Sequence, residues 1–266
     1  MSEATITSVR NPRVQAAAQL RERRERARRG RILIDGAREI RRALEANVKL
    51  LEAFYCLPEA ADDDARQVLA SLEAVGVAVI PVAAHVFARV AYGERAAGLV
   101  AVAETPRATL DALRLPENPL VAVVEAAEKP GNLGAVLRSA DAAGLSAVIA
   151  ADGVTDLFNP NTIRASLGTV FTLPVAAASA EETLAYLRRQ RLQIVAARVD
   201  AASDYTDVDY TRPTAIVLGS EAVGLTDRWR SADVTAVRLP MRGAADSLNL
   251  SATAAVLFYE ALRQRR

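Results

Sequence analysis

In 266 residues the chain has one cysteine, one histidine, one tryptophan and two methionines. Lone Cys56 forms no disulfide within the chain, and no cysteine–histidine cluster stands ready for zinc or another metal. His85, the only histidine, lies near an apolar stretch where a structural role is expected. No second histidine exists to activate a serine, which argues against a hydrolase triad. Aromatics make up 5% and are scattered, Trp229 included, without the interleaving that base stacking uses. No apolar run reaches the roughly 18 residues that span a bilayer. The first residues, MSEATITSVRNPRV, lack the apolar core of an export signal, so a cytoplasmic location away from membranes is expected. Neither GxxxxGK[ST] nor GxGxxG occurs, which disfavours a phosphate cradle and an ordinary dinucleotide fold.

What is present is an ordinary globular composition, 51% hydrophobic and 24% charged, with chain enough for one large or two modest domains. The net charge of +1 conceals a basic N-terminus. Residues 1–31 carry nine arginines against three glutamates, most densely in RERRERARRGR, residues 21–31. Such a segment suits a phosphate backbone. It equally suits a solvated helix whose arginines pair with Glu22 and Glu25 at helical spacing. A weaker third reading, contact with anionic lipid, lacks a large apolar face.

Along the chain, strand and helix patterns alternate. A polar helical start over 5–29 leads to ILID, a helix, LLEAFYCL, a helix near 62–75, VAVIP, the short helix HVFARVA and GLVAVAE. This predicts a small α/β domain over 1–104. TPRATLDALRLPENP, with three prolines, predicts a linker over 105–118 with about one helical turn. From 119 to 266 the runs LVAVVE, AVIA, LPVA, LQIVAARV, TAIVL and VTAVRLP alternate with helices, and a last helix closes the chain. Continuous rather than alternating apolar runs predict a parallel sheet buried on both faces.

Three clusters follow predicted strands, where open α/β sheets bind ligands. EAAEKPGNLGAVLRSADAAG, residues 125–144, sets Arg138 beside an apolar helical stripe, either paired with Asp141 or facing a ligand. IVLGSEAVGL, residues 216–225, holds Glu221 between two glycines. An ionised carboxylate only accepts, so it would hold amines, hydroxyls or another side chain. LPMRGAADSLNLSATAAVLFYE, residues 239–260, crowds Ser247, Asn249 and Ser251 at a helix start, more than one cap requires.

Taken together and in this order, the clusters resemble the motifs of the TrmH/SpoU family of RNA ribose 2′-O-methyltransferases. Residues 128–138, 216–225 and 239–251 are similar to its three motifs, and NPNTIRASLGTVFTLPV, residues 159–175, to the segment between the first two. One departure is Glu128-Lys129-Pro130, where many members carry an aspartate before the proline. The N-terminal half more weakly resembles the family's substrate-binding extension, a small domain similar to ribosomal protein L30e. That architecture favours 23S rRNA over tRNA. The resemblance implies an S-adenosylmethionine-dependent fold with a deep C-terminal trefoil knot, and a homodimer to which Ala254, Val256, Leu257 and Tyr259 could contribute.

It further implies site roles. Gly219 lets backbone approach the cofactor's adenosine, with Ser220, Gly224 and Ser247 nearby and Leu218, Leu239, Met241 and Leu248 as apolar walls. Arg138 lies at the attacking 2′-oxygen, with Asn132, Glu221, Ser247 and Asn249 around it. Arg138 is either the general base or a cation stabilising the developing alkoxide; a guanidinium pKa above about 12 makes the first demanding. Arg10, Arg23, Arg24, Arg28, Arg29 and Arg31 would contact RNA phosphates. The competing readings are a non-catalytic RNA-binding protein of the same fold, a tRNA 2′-O-methyltransferase, a small-molecule α/β enzyme, and a Rossmann-type methyltransferase acting at a base.

Overall fold

A computed structural model describes residues 4–56, 63–92, 98–221 and 223–266. Leu57, Asp62 and Ala222, which fall within the strand, helix and loop expected above, lie outside the described residues. The chain divides into two compact units, 1–106 with 158–172, and 107–157 with 173–266.

The first unit opens with α1 (Pro12–Gln19), started by Asn11, whose side chain accepts from the Arg13 amide, and by Pro12 at the first helical position. α2 (Arg23–Arg29) ends at left-handed Gly30. Then follow β1 (Arg31–Asp35), α3 (Ala37–Glu45), β2 (Leu50–Tyr55), α4 (Asp63–Ala74), β3 (Ala78–Pro81), α5 (Ala84–Val90) and β4 (Leu99–Glu104). The strands form a sheet in the order β1-β4-β2-β3; β4 is antiparallel to both neighbours, and β3 is parallel to β2. His85 has the expected structural place, its Nε2 2.9 Å from the Thr7 carbonyl.

Residues 158–172, expected in the second domain, fold with this first unit. They carry α7 (Pro160–Ala165) and α8 (Thr169–Thr172). Polar contacts explain the placement: Arg42 Nη1 donates to the Leu167 carbonyl at 2.6 Å and Asn161 Nδ2 to the Tyr92 hydroxyl at 3.0 Å. Gly168, at φ +82°, lies so close that a Cβ there would sit 3.1 Å from Glu39 Cα.

Asp35 and Glu39 are buried in this unit, and the Asp35 carboxylate accepts the Tyr92 amide. Desolvation raises both pKa values, that of Asp35 to about 6. The folded state therefore holds the Asp35 proton more tightly than the unfolded chain does. Its stabilising share is complete below about pH 4 and is lost as pH rises through 6, by at most about 3 kcal/mol. Asp35→Asn keeps the acceptor and abolishes the titration. Its melting temperature relative to wild type is expected to climb between pH 4 and pH 7. Parallel pH profiles would refute this.

The second unit contains β5 (Leu120–Glu125), α6 (Pro130–Ala142), β6 (Ala147–Ala151), β7 (Val175–Ala178), α9 (Ala180–Arg189), β8 (Gln193–Ala197), β9 (Ser203–Asp204), β10 (Thr214–Leu218), β11 (Val234–Arg238) and α10 (Leu250–Gln264). Its sheet has seven strands in the order β7-β6-β5-β10-β8-β11-β9, every pairing parallel. Every residue of β5, β6 and β10 is buried, as their unbroken apolar runs predict. α9 starts in a capping box in which Ser179 and Glu182 each bond the other's backbone amide.

Of the expected linker, residues 107–118 belong to this unit, while 105 and 106 stay with the first. Ala108 accepts the Ala177 amide at 2.9 Å, residues 110–112 form one 3₁₀ turn, and buried Leu113, with Leu110 and Leu115, packs on the sheet's core. Trp229 is fully buried in the same core.

Candidate functional site at the carboxyl ends of the parallel strands

The loops after β5, β10 and β11 carry the three sequence clusters. Leaving β10, the chain turns tightly: the Gly224 amide donates to the Ser220 carbonyl at 3.0 Å and the Val223 amide to Ser220 Oγ at 3.3 Å. Gly219 is required by this loop's own backbone. A Cβ there would lie 2.3 Å from the Gly224 carbonyl carbon and 2.4 Å from the Leu225 nitrogen. Beside the role toward a cofactor that the resemblance implies, the glycine thus admits the loop's own return strand. Gly224, at φ +69°, makes that return.

The Glu221 carboxylate ties the clusters together. Its Oε1 accepts from Asn132 Nδ2 at the start of α6 and from Asn249 Nδ2 at the start of α10, both at 2.6 Å. Its Oε2 pairs with Lys129 at 3.0 Å. Asn249 serves two purposes: its Oδ1 caps α10, accepting from the Ser251 amide and hydroxyl, while its amide nitrogen reaches Glu221. Ser251 is thereby explained as part of the cap, whereas Ser247 faces a cleft.

That cleft has a volume of about 1110 Å³. All eight cofactor-binding candidates line it: Leu218, Gly219, Ser220 and Gly224 from the end of β10 and its loop, and Leu239, Met241, Ser247 and Leu248 from the loop after β11. Glu221 lines it as well. The site reading missed the end of β8, where Ala197, Val199 and Asp200 complete the wall. The same rule about strand ends would have found them, since LQIVAARV reads as a strand. Asp200 takes a bidentate pair from Arg198, 2.9 Å at each oxygen, and a further bond from Arg230 at 3.0 Å. Hydrogen bonding from Arg198, then from Arg230, holds its carboxyl well below the usual range. Asp200 thus stays an anion at this end of the cleft.

Arg138 lies on α6, exposed, and among the described residues it pairs with neither Asp141 nor another carboxylate. Its guanidinium is available to a ligand. The described residues contain no group of three or more metal-ligating side chains, and no described helix is long and apolar enough to cross a membrane.

In the first unit, Arg10, Arg23, Arg24, Arg28 and Arg31 are exposed and Arg29 is half-buried. Arg28 and Arg29 pair with Glu25 at 2.6 and 3.0 Å, as the helical spacing allows. The segment is not basic on every face. Arg26 is buried and donates to the carbonyls of Leu20 and Arg21 at 2.9 and 2.7 Å, closing the end of α1. Arg21 turns inward to the Ala91 carbonyl and over the Tyr92 ring. Charge counting could not separate these two from their exposed neighbours.

Comparison with known proteins finds relatives for both parts of the chain. Residues 119–259 match the SpoU rRNA Methylase family and residues 11–101 the MRM3-like substrate binding domain. A 23S rRNA (uridine(2479)-2′-O)-methyltransferase of Streptomyces viridochromogenes is 33% identical, over 98% of this chain and 92% of its own length. The crystal structure of the SpoU methyltransferase AviRb from Streptomyces viridochromogenes in complex with AdoMet is 32% identical, with a TM-score of 0.88 over 96% of this chain and 98% of that one. An RNA 2′-O ribose methyltransferase structure is 44% identical, with a TM-score of 0.87 over 98% and 99% of the two chains. Matched along nearly its whole length, the chain belongs to the SpoU rRNA methylase family.

Proposed function

We propose that the protein is an S-adenosylmethionine-dependent RNA methyltransferase acting on a ribose 2′-hydroxyl of 23S rRNA, in the cytoplasm. The convergence of Asn132 and Asn249 on Glu221 beside the cleft carries this reading. The cleft's chemistry fits the cofactor. Leu218, Leu239, Met241 and Leu248 offer apolar surface to an adenosine, and the Asp200 anion offers an acceptor to hydroxyls or an amine. When bound, the cofactor supplies an electrophilic methyl group on a sulfonium.

The chain's residues then position the nucleophile. In-line attack makes orientation a large share of the rate. Glu221 fixes Asn132 and Asn249, and these hold the ribose side of the site. Arg138 stays cationic and stabilises the developing alkoxide, since a guanidinium ordinarily keeps its proton. The 2′-proton passes to an RNA phosphate or to water. Glu221, with three partners already, is a positioning residue rather than a free base.

The loops after β10 and β11, with α10 returning onto α6, are the parts from which a deep trefoil knot would be built. A homodimer is part of the same proposal, with its surface revised. Ala254 and Leu257 are buried within the subunit, so exposed Val256 and Tyr259 are the members of that stripe left to meet a partner. The N-terminal domain, similar to ribosomal protein L30e, would recognise a loop or bulge, because A-form duplex hides its bases.

The deciding experiment is methyl incorporation from labelled S-adenosylmethionine into separate pools of unmodified rRNA and tRNA, followed by nucleoside analysis. A labelled 2′-O-methylnucleoside from rRNA is expected. Label in tRNA alone would replace the substrate, label on a base would replace the reaction, and no label despite cofactor binding would favour a non-catalytic RNA-binding role. Neutralising Arg23, Arg24, Arg28 and Arg29 to glutamine is expected to weaken rRNA binding. It should also flatten the dependence of log K on log salt by about one unit for each phosphate no longer engaged. An unchanged slope would remove these arginines from the RNA interface.

A further inference from the structure

We propose that Glu125 is a positioning residue for cofactor binding, acting through Thr226 on the loop over residues 219–225. The inference rests on the reading of the cleft as the S-adenosylmethionine site.

Glu125 ends β5 and is fully buried. In the parallel register its neighbour Val124 lies opposite Leu218, the last residue of β10. Glu125 therefore stands beside the point where the loop leaves the sheet. Its two oxygens take both donors of Thr226, the amide at Oε2 and the hydroxyl at Oε1, each at 2.8 Å. Thr226 stands immediately before the short 3₁₀ turn Asp227–Arg230 and closes the loop. The loop is thus held in three places: at its root by the sheet, at Glu221 by the two asparagines, and at its exit by Glu125.

A carboxylate buried at a strand end is costly, and packing alone does not call for one. An apolar side chain of like size would fill the space without that desolvation. What the carboxylate adds is direction, because it fixes both the backbone and the side chain of a residue 101 positions away in sequence. The Gly224 and Leu225 backbone, on which Gly219 rests, lies immediately before that fixed point. Releasing Thr226 would loosen the cofactor's wall and leave the sheet paired.

Glu125→Met keeps the bulk and removes both acceptors. Glu125→Gln keeps a carbonyl for the amide and offers an N–H to the hydroxyl, so it is the conservative rescue. Titration calorimetry with S-adenosylmethionine is expected to show Glu125→Met weaker by roughly tenfold or more and Glu125→Gln within about threefold of wild type. Affinity for an rRNA fragment and the melting temperature of the cofactor-free protein should change little. Cofactor affinity at the wild-type level in Glu125→Met would overturn the proposal, as would a Gln variant as weak as the Met variant. Should Glu125→Met fail to fold, Thr226→Val removes only the hydroxyl. Weakened cofactor binding at an unchanged melting temperature then supports the clamp, and unchanged binding overturns it. Gly219→Ala separates the two layers of argument. If it binds cofactor normally, the cleft assignment fails. If it does not bind while Glu125→Met does, the proposal about Glu125 fails alone.

Discussion

Arg138→Ala is expected to lower the rate of methyl transfer by about 10²–10³-fold or more while leaving S-adenosylmethionine affinity near that of wild type. Both halves follow from position. Arg138 is exposed on α6 and is absent from the wall of the cleft proposed to hold the cofactor. No described carboxylate holds it, so its removal leaves no buried partner stranded. A loss confined to the chemical step is the mark of a group that meets charge only in the transition state. Arg138→Lys distinguishes the roles. A cation that merely stabilises an alkoxide should be replaced in part by lysine, whereas a base working as a neutral guanidine should give a markedly different pH dependence in the lysine variant. Single-turnover rates across pH, with cofactor affinity measured alongside, are the test. A near-wild-type rate in the alanine variant would remove Arg138 from the mechanism.

Gly219→Ala is expected to abolish measurable cofactor binding, a loss of at least about 100-fold. One methyl group suffices because the atoms it would strike, 2.3 and 2.4 Å away, are backbone. A side chain could rotate away, but here the return strand of the loop must shift bodily. That shift carries Ser220 and Gly224 with it and strains the link from Glu221 to Asn132 and Asn249. RNA binding through the N-terminal arginines should survive. Calorimetry with S-adenosylmethionine on the folded variant reads the result, and binding within threefold of wild type would overturn the assignment of the cleft to the cofactor.

The parts of this site written in short-range pattern were legible in the sequence. Unbroken apolar runs announced a buried parallel sheet, and the glycine directly after TAIVL marked where one ligand loop begins. The eight cleft residues drawn from 218–224 and 239–248 followed from that and from the family resemblance. What spacing could not convey was convergence: Asn132 and Asn249 stand 89 and 28 positions from the Glu221 they share. The departure at Lys129 likewise acquires meaning only in three dimensions, as a cation against Glu221 Oε2. Charge was the least informative signal. Arg26 and Arg28 are two residues apart in one basic run, yet one closes a helix end in the interior and the other pairs on the surface. The leucines at 110, 113 and 115 were masked by neighbouring prolines, so a packed segment read as a linker.

Residues 158–172 give the chain an unusual modularity. Because they fold with the first unit, the polypeptide passes from one unit to the other at 106/107, 157/158 and 172/173. A recombination event that exchanged only residues 1–104 would bring in a foreign domain without the strip that completes it. Gly168, where a Cβ would sit a tight 3.1 Å from Glu39 Cα, would then face a surface not shaped for it. Diversification of RNA recognition on this scaffold is therefore bound to proceed by paired change, the domain and its strip together, and a functional chimera needs two grafts where a simple two-domain protein would need one.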